Sequence, residues 1–203
     1  MVKTEKLFSK IIMIVFLVLI VLGFTIPGFI NNPNPGAAQS KVEPRLCKSD
    51  ADCYLTCDNQ PWRVLCLQNL CQQNECGESY FEYASEQLIT FQLEIIINAI
   101  NAANNLTAGK ISLIERAHFQ DFFVKFSEDD QVKIYSPRLS LNVVLSKAGM
   151  VLAGNCLKIG PASYCQDEAN SLTILVNGKE IASPEIYIPN EGDEIKISYQ
   201  PSE

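Results

Sequence analysis

At 203 residues, 47% hydrophobic and 19% charged, the chain has room for one ordinary domain with attachments and enough apolar residues for a packed core. That composition excludes global disorder. The net charge of -7 argues against nucleic acid and anionic lipid headgroups as partners, because an acidic exterior repels phosphates.

Residues 1-10 carry Lys3, Lys6 and Lys10 against Glu5, a local charge of +2 that leaves the remaining chain at -9. They read as a cytoplasmic n-region. The next stretch begins IIMIVFLVLIVLGFTI, and no charged residue falls between Lys10 and Lys41. As a helix rising about 1.5 Å per residue, residues 11-30 would cover roughly 30 Å, the thickness of a bilayer's hydrocarbon. A cleaved signal peptide competes with an uncleaved signal anchor, but its apolar region is usually about 7–15 residues long. The small-residue cleavage candidate Gly36-Ala37-Ala38 lies beyond Pro33 and Pro35, well past the apolar run. The expectation is therefore a transmembrane signal anchor over 11-30. The lipid bilayer would be its partner, the N-terminus cytoplasmic and the bulk of the chain extracytoplasmic. Residues 31-46 are rich in Pro, Asn and small residues and read as a linker.

Six of the eight cysteines follow, as Cys47, Cys53, Cys57, Cys66, Cys71 and Cys76, spaced C-x5-C-x3-C-x8-C-x4-C-x4-C. Structural zinc sites bring ligands in close pairs, and only Cys53-x3-Cys57 approaches that pattern. An exported segment favours disulfides instead. Six cysteines allow 15 pairings, and the spacing does not choose among them. The module's apolar residues, among them Leu55, Trp62, Val64 and Leu65, are too few for an independent core, so cross-links must supply the rigidity. Asp50, Asp52 and Asp58 lack a calcium loop's D-x-D-x-D-G order and closing Glu, so turn capping is the better reading.

Gly77 and Gly109 bracket 31 residues with no Gly or Pro. Ser79-x-x-Glu82 fits a capping box at a helix start. Glu86, Thr90, Glu94, Asn98, Asn101 and Asn105 recur at spacings of four or three, a polar stripe on one side of a helix. The alternation Ile89, Phe91, Leu93, Ile95, Ile97 and the run Ile95-Ile96-Ile97 argue for a strand. The sustained stripe decides for a long helix. Asn105-Leu106-Thr107 is a glycosylation sequon at its predicted end.

Beyond Ile111 the apolar period becomes two, around Val124, Val132, Leu139 to Leu145, Leu172 to Val176 and Ile195 to Tyr199. Asn177-Gly178 is the strongest hairpin signal, since a type I′ turn needs φ > 0 at both central residues. Cys156 and Cys165 flank eight residues around Gly160-Pro161 and are expected to pair with each other. The fold class expected is α+β: the transmembrane helix, the disulfide module at 47-76, then one long helix packed on an antiparallel sheet over 77-203.

His118 is the single histidine, and no G-x-S-x-G stretch, phosphate-binding glycine loop or C-x-x-C accompanies it. No catalytic, cofactor or metal residue is assigned. Cys47-Lys48-Ser49-Asp50-Ala51-Asp52-Cys53 resembles the C-x-S-D-x-D-C opening of small disulfide modules on extracellular proteins. LEIIINAINAANNLTAGKISL, followed by strand-like runs, resembles the helix and β-rich head of archaeal pilin-like and flagellin-like surface proteins. No processing site precedes residue 11, and the linker and cysteine module separate the two apolar stretches. That resemblance implies a prokaryotic cell-surface protein, with an archaeal one as the narrower expectation. The function expected is a membrane-anchored, extracytoplasmic protein with a binding or structural role, not an enzyme, with a protein or cell-surface partner. The alternatives are a self-assembling pilin-like subunit and an exported hydrolase.

Overall fold

The computed structural model describes residues 43–100 and 106–202, together with Met13 and Leu17, both helical. The n-region, the rest of the 11-30 segment, most of the linker and Asn105 lie outside the described residues. Among the described residues no helix is long and apolar enough to cross a membrane. The expected bilayer partner and single-pass location are corrected on that finding. The disulfides described below point to an extracellular or secreted protein.

Val42–Glu203 forms one compact unit. It opens with a single 3-10 turn, Asp50–Asp52, and two small hairpins: β1 (Tyr54–Cys57) with β2 (Gln60–Arg63), and β3 (Cys66–Leu67) with β4 (Leu70–Cys71). Each hairpin turns through two residues with positive φ, Asp58 at 51° and Asn59 at 61°, then Gln68 at 53° and Asn69 at 62°. Both φ signs match the type I′ turn that follows the natural strand twist. Three disulfides cross these hairpins, Cys47–Cys66, Cys53–Cys71 and Cys57–Cys76, joining first to fourth, second to fifth and third to sixth. Five of those cysteines pack with Leu55 and Val64 into a small separate cluster. Leu65, fully buried, points the other way and joins the main core.

The main sheet contains β5 (Ile89–Ile100), β6 (Leu106–Lys110), β7 (Val124–Phe126), β8 (Gln131–Ile134), β12 (Asn170–Val176), β13 (Lys179–Glu180) and β14 (Glu194–Pro201). Their order is β13-β12-β14-β5-β8-β7, with β6 beside the later half of β5. The β5–β14 pair is parallel and the other pairs are antiparallel. A second sheet of β9 (Met150–Ala153), β10 (Cys156–Ile159) and β11 (Ala162–Cys165) shares the core through Met150, Leu152, Leu157 and Ile159. Cys156 and Cys165 face each other across β10 and β11 and form the fourth disulfide.

The α+β architecture with a long covering helix is therefore wrong: the fold is β-rich. The predicted helix is β5, the central strand. Its Phe91, Leu93, Ile95 and Ile97 are all at most 3% exposed, while Gln92 faces outward between Thr90 and Glu94. A spacing of four is a multiple of two, so Thr90, Glu94 and Asn98 share one face of a strand as well as of a helix. The stripe could not discriminate between the two; the β-branched run and the alternation could. Residues 79–88 carry no regular element, so Ser79-x-x-Glu82 caps nothing.

The converse error falls at residues 139–145. Their alternation predicts a strand, yet Leu141–Lys147 is a helix, α1. The Ser140 side chain accepts a hydrogen bond from the Val143 N–H, the N-cap interaction. Leu141, Val144, Leu145 and Ala148 then fall at helical spacing on the buried side. The Asn177-Gly178 reading agrees with the structure: φ is 52° and 76°, and Val176 pairs with Lys179.

Candidate binding groove and a buried ion cluster

Two features bring chemistry-bearing side chains together, both where the cysteine module meets the sheet. The first is a groove of about 650 Å³ whose walls include Trp62, Arg63, Phe81, Tyr83, Glu82 and Arg138. Strand β2 supplies Trp62 and Arg63. It pairs only with β1, and all four of its residues are exposed, Trp62 at 46%. The loop before β5 supplies Phe81 and Tyr83, both packed on the main core.

Arg63 is fixed from several sides. Its guanidinium lies 4.5 Å from the Tyr83 ring centre and 4.3 Å from that of Phe122, and it donates a hydrogen bond of 2.5 Å to the Tyr83 hydroxyl. Stacking over two rings holds a planar cation in a way that an ammonium would not reproduce. Tyr83 is braced in turn, edge-on to Phe123 and stacked on Tyr135. Arg138 lies 5.4 Å from the Tyr80 ring centre. Glu78 and Glu82 line the same groove, so it carries both signs of charge beside its aromatic surface. An exposed Trp, held arginines and a braced Tyr are the residue types that carry most binding energy at protein interfaces.

The second feature is a buried cluster of three charges. Asp50 reaches in from the 3-10 turn, Asp121 from the loop before β7, and Lys147 from the last turn of α1. The Lys147 ammonium lies 2.5 Å from Asp50 Oδ1 and 3.2 Å from Asp121 Oδ1, with all three side chains at most 6% exposed. It also donates to the Cys66 carbonyl at 2.7 Å. Asp50 is saturated: Oδ1 accepts from the Cys66 N–H, and Oδ2 from the Phe122 and Phe123 N–H groups. Asp121 Oδ1 accepts from the Asp50 N–H at 3.1 Å. Burial pushes the Asp121 carboxyl above its ordinary range, Lys147 pulls it down, and the Asp50 charge adds to the rise.

The three aspartates that read as turn residues in the sequence thus divide. Asp52 caps, accepting from the Lys48 and Ser49 N–H groups, which holds its carboxyl below the ordinary range. Asp58 sits in the β1–β2 turn. Asp50 is instead the polar joint between module and sheet.

His118 is exposed and stacked on Phe119. It borders a hollow of about 320 Å³ shared with Asp121 and Lys147. The sulfurs of Cys47, Cys53 and Cys71 lie within 4.8 Å of one another, but all three are in disulfides and offer no thiolate to a metal. The sequence names Trp62 only among the module's few apolar residues and gives no prominence to Arg63, Phe81, Tyr83 and Arg138. The aromatic run Tyr80-Phe81-Glu82-Tyr83 is the available signal, absorbed there into the predicted helix. Nor does the sequence give a reason to join Asp50 to Lys147, which lie 97 residues apart.

Comparison with protein-family models, with curated proteins and with solved structures found no match.

Proposed function

We propose that this is an extracytoplasmic binding protein that uses the groove beside β2 to hold a protein partner, without catalysis. One observation carries the reading: Trp62 stands 46% exposed on a disulfide-stapled hairpin, next to an arginine already held in place by two rings. Preorganised aromatic and guanidinium groups lose little entropy on binding, so they favour affinity over mere surface coverage. The mixed charges of Arg63, Arg138, Glu78 and Glu82 favour a polypeptide, which can offer both signs at once, over a polyanion. The disulfides support an oxidising location.

The test places a photoreactive phenylalanine analogue at position 61, exposed on the groove wall beside Trp62, in the full chain on its native host. Ultraviolet light is expected to yield a discrete protein adduct, lost when Arg138→Ala is added. A chain that forms no protein adduct, or an adduct indifferent to Arg138→Ala, would overturn the reading.

A further inference from the structure

The buried ion cluster has the composition and geometry of a condensation site. We propose that Lys147 and Asp50 join in an intramolecular amide, with Asp121 moving the protons and one water released. This is independent of the groove reading.

The reacting atoms are already in place. With Lys147 Nζ 2.5 Å from Asp50 Oδ1, it lies no more than about 3.7 Å from Cγ. The other oxygen, Oδ2, faces two backbone N–H groups, those of Phe122 at 2.8 Å and Phe123 at 3.2 Å. That pair is an oxyanion hole for the addition intermediate, fixed by the chain entering β7. Asp121 Oδ1, 3.2 Å from Nζ, is placed to relay protons, and burial raises its affinity for the one it must take.

The steps balance. Asp121 takes one of the three ammonium protons and passes it to Asp50 Oδ1, leaving a neutral amine facing a neutral carboxyl. The amine lone pair forms the N–Cγ bond, and the carbonyl pair moves onto Oδ2. Asp121 carries a second nitrogen proton to Oδ1, the Cγ–Oδ1 bond breaks, and water departs as the carbonyl re-forms. The amide keeps the third proton, Asp121 ends as it began, and nothing is oxidised or reduced. The hollow of about 320 Å³ lined by Lys147, Asp121 and Ser146 gives the water a way out.

Burial supplies the driving force. An ammonium and a carboxylate held in an apolar interior are costly, and condensation removes one charge of each sign. The product amide retains the Phe122 and Phe123 hydrogen bonds through its oxygen. The bond would tie the cysteine module to α1 covalently, beyond the reach of reductants.

Peptide mapping of the full exported chain, reduced and alkylated before trypsin, decides the matter. Trypsin should release Ser49–Arg63 joined to Leu139–Lys158 with Lys147 uncleaved, lighter by one water than the two peptides together. Linear Ser49–Arg63 with cleavage after Lys147 as the main products would overturn the proposal. Asp121→Asn should leave the two peptides separate. A folded Asp121→Asn chain that still links fully would refute the proton relay. Should that variant not fold, Lys147→Arg keeps the cation but cannot condense, so it supplies the unlinked control. The wild-type map then still separates the joined peptide from the linear pair.

Discussion

Between Cys47 and Cys76 three disulfides cross thirty residues, and the buried apolar cluster is five cysteines with Leu55 and Val64. From β5 to β14 a single disulfide, Cys156–Cys165, accompanies a core that includes Phe91, Leu93, Ile95, Ile134, Leu145 and Ile197. A segment of thirty residues cannot bury enough surface to offset its chain entropy, so cross-links limit its unfolded state instead. The larger region has the area to rely on apolar packing. The two meet where packing and charge are both present: Leu65 enters the main core, and Asp50 reaches Lys147. Each region therefore has its own way to fail, and the joint between them should be the most sensitive point of all.

Breaking the joint should cost most. Asp50→Ala strands the buried Lys147 ammonium and frees three N–H groups, an expected loss of about 3–5 kcal/mol in chemical denaturation of the full chain. A loss below about 1 kcal/mol would show that the two regions do not depend on this contact. Removing the outermost bridge with Cys57→Ser and Cys76→Ser should cost about 3 kcal/mol in the loop-entropy picture, for a separation of 19 residues. Hydrogen exchange should then speed up through residues 72–78, with β5 unchanged. Equal acceleration in β5 would mean that the regions unfold as one.

Asp193 tests the sheet region alone. Its carboxylate accepts from Tyr187 Oη at 2.6 Å, Asn190 N at 2.8 Å and Asn177 Nδ2 at 2.9 Å, tying the β12–β13 turn to the loop before β14. Burial works against its charge, but those hydrogen bonds prevail and hold it below the ordinary 3.8. A depressed folded value means that the unfolded chain binds the proton first. The stabilisation is therefore present above pH 3.8 and is lost as pH falls through the lower folded value. Asp121 has the opposite sign: its raised value favours folding in acid, and that contribution fades as pH rises from 3.8 through the raised value. Asp193→Asn should cost about 1–2 kcal/mol at neutral pH and flatten the acid limb of stability against pH. An unchanged acid limb would remove Asp193 from the account. The smallest expected stability effect belongs to Trp62→Ala, within about 0.5 kcal/mol of wild type by thermal melting, while formation of the partner complex is lost. A stability loss several times larger would make Trp62 a structural residue.

Several elements are legible before any tertiary structure. Asn177-Gly178 gives its hairpin because Asn tolerates positive φ and Gly takes it at no steric cost, whereas Asp58-Asn59 and Gln68-Asn69 adopt the same signs without so plain a signal. Val132 and Ile134, Leu172 to Val176 and Ile195 to Tyr199 alternate because each strand has one covered face. Two elements exchange classes between sequence and structure. In β5 a polar stripe at spacing four satisfies both periods. Around α1, Leu139, Leu141, Val143 and Leu145 alternate by coincidence, and the Ser140 cap with burial of Val144 and Ala148 decides for the helix. The groove leaves only a partial trace, the aromatic run at Tyr80 to Tyr83, since its walls come from four separate stretches of chain.

Composition, spacing and φ preference already favour partners for the eight cysteines, deny the segment from Cys47 to Cys76 a purely apolar core, and place a tight turn at Asn177-Gly178. These are local properties, readable one stretch at a time. Which cysteine meets which, the parallel course of β5 beside β14, and the gathering of Asp50, Asp121 and Lys147 into one buried site were settled by the folded chain alone. Those outcomes depend on which distant segments come together, and burial gives a side chain its chemistry only after they have met.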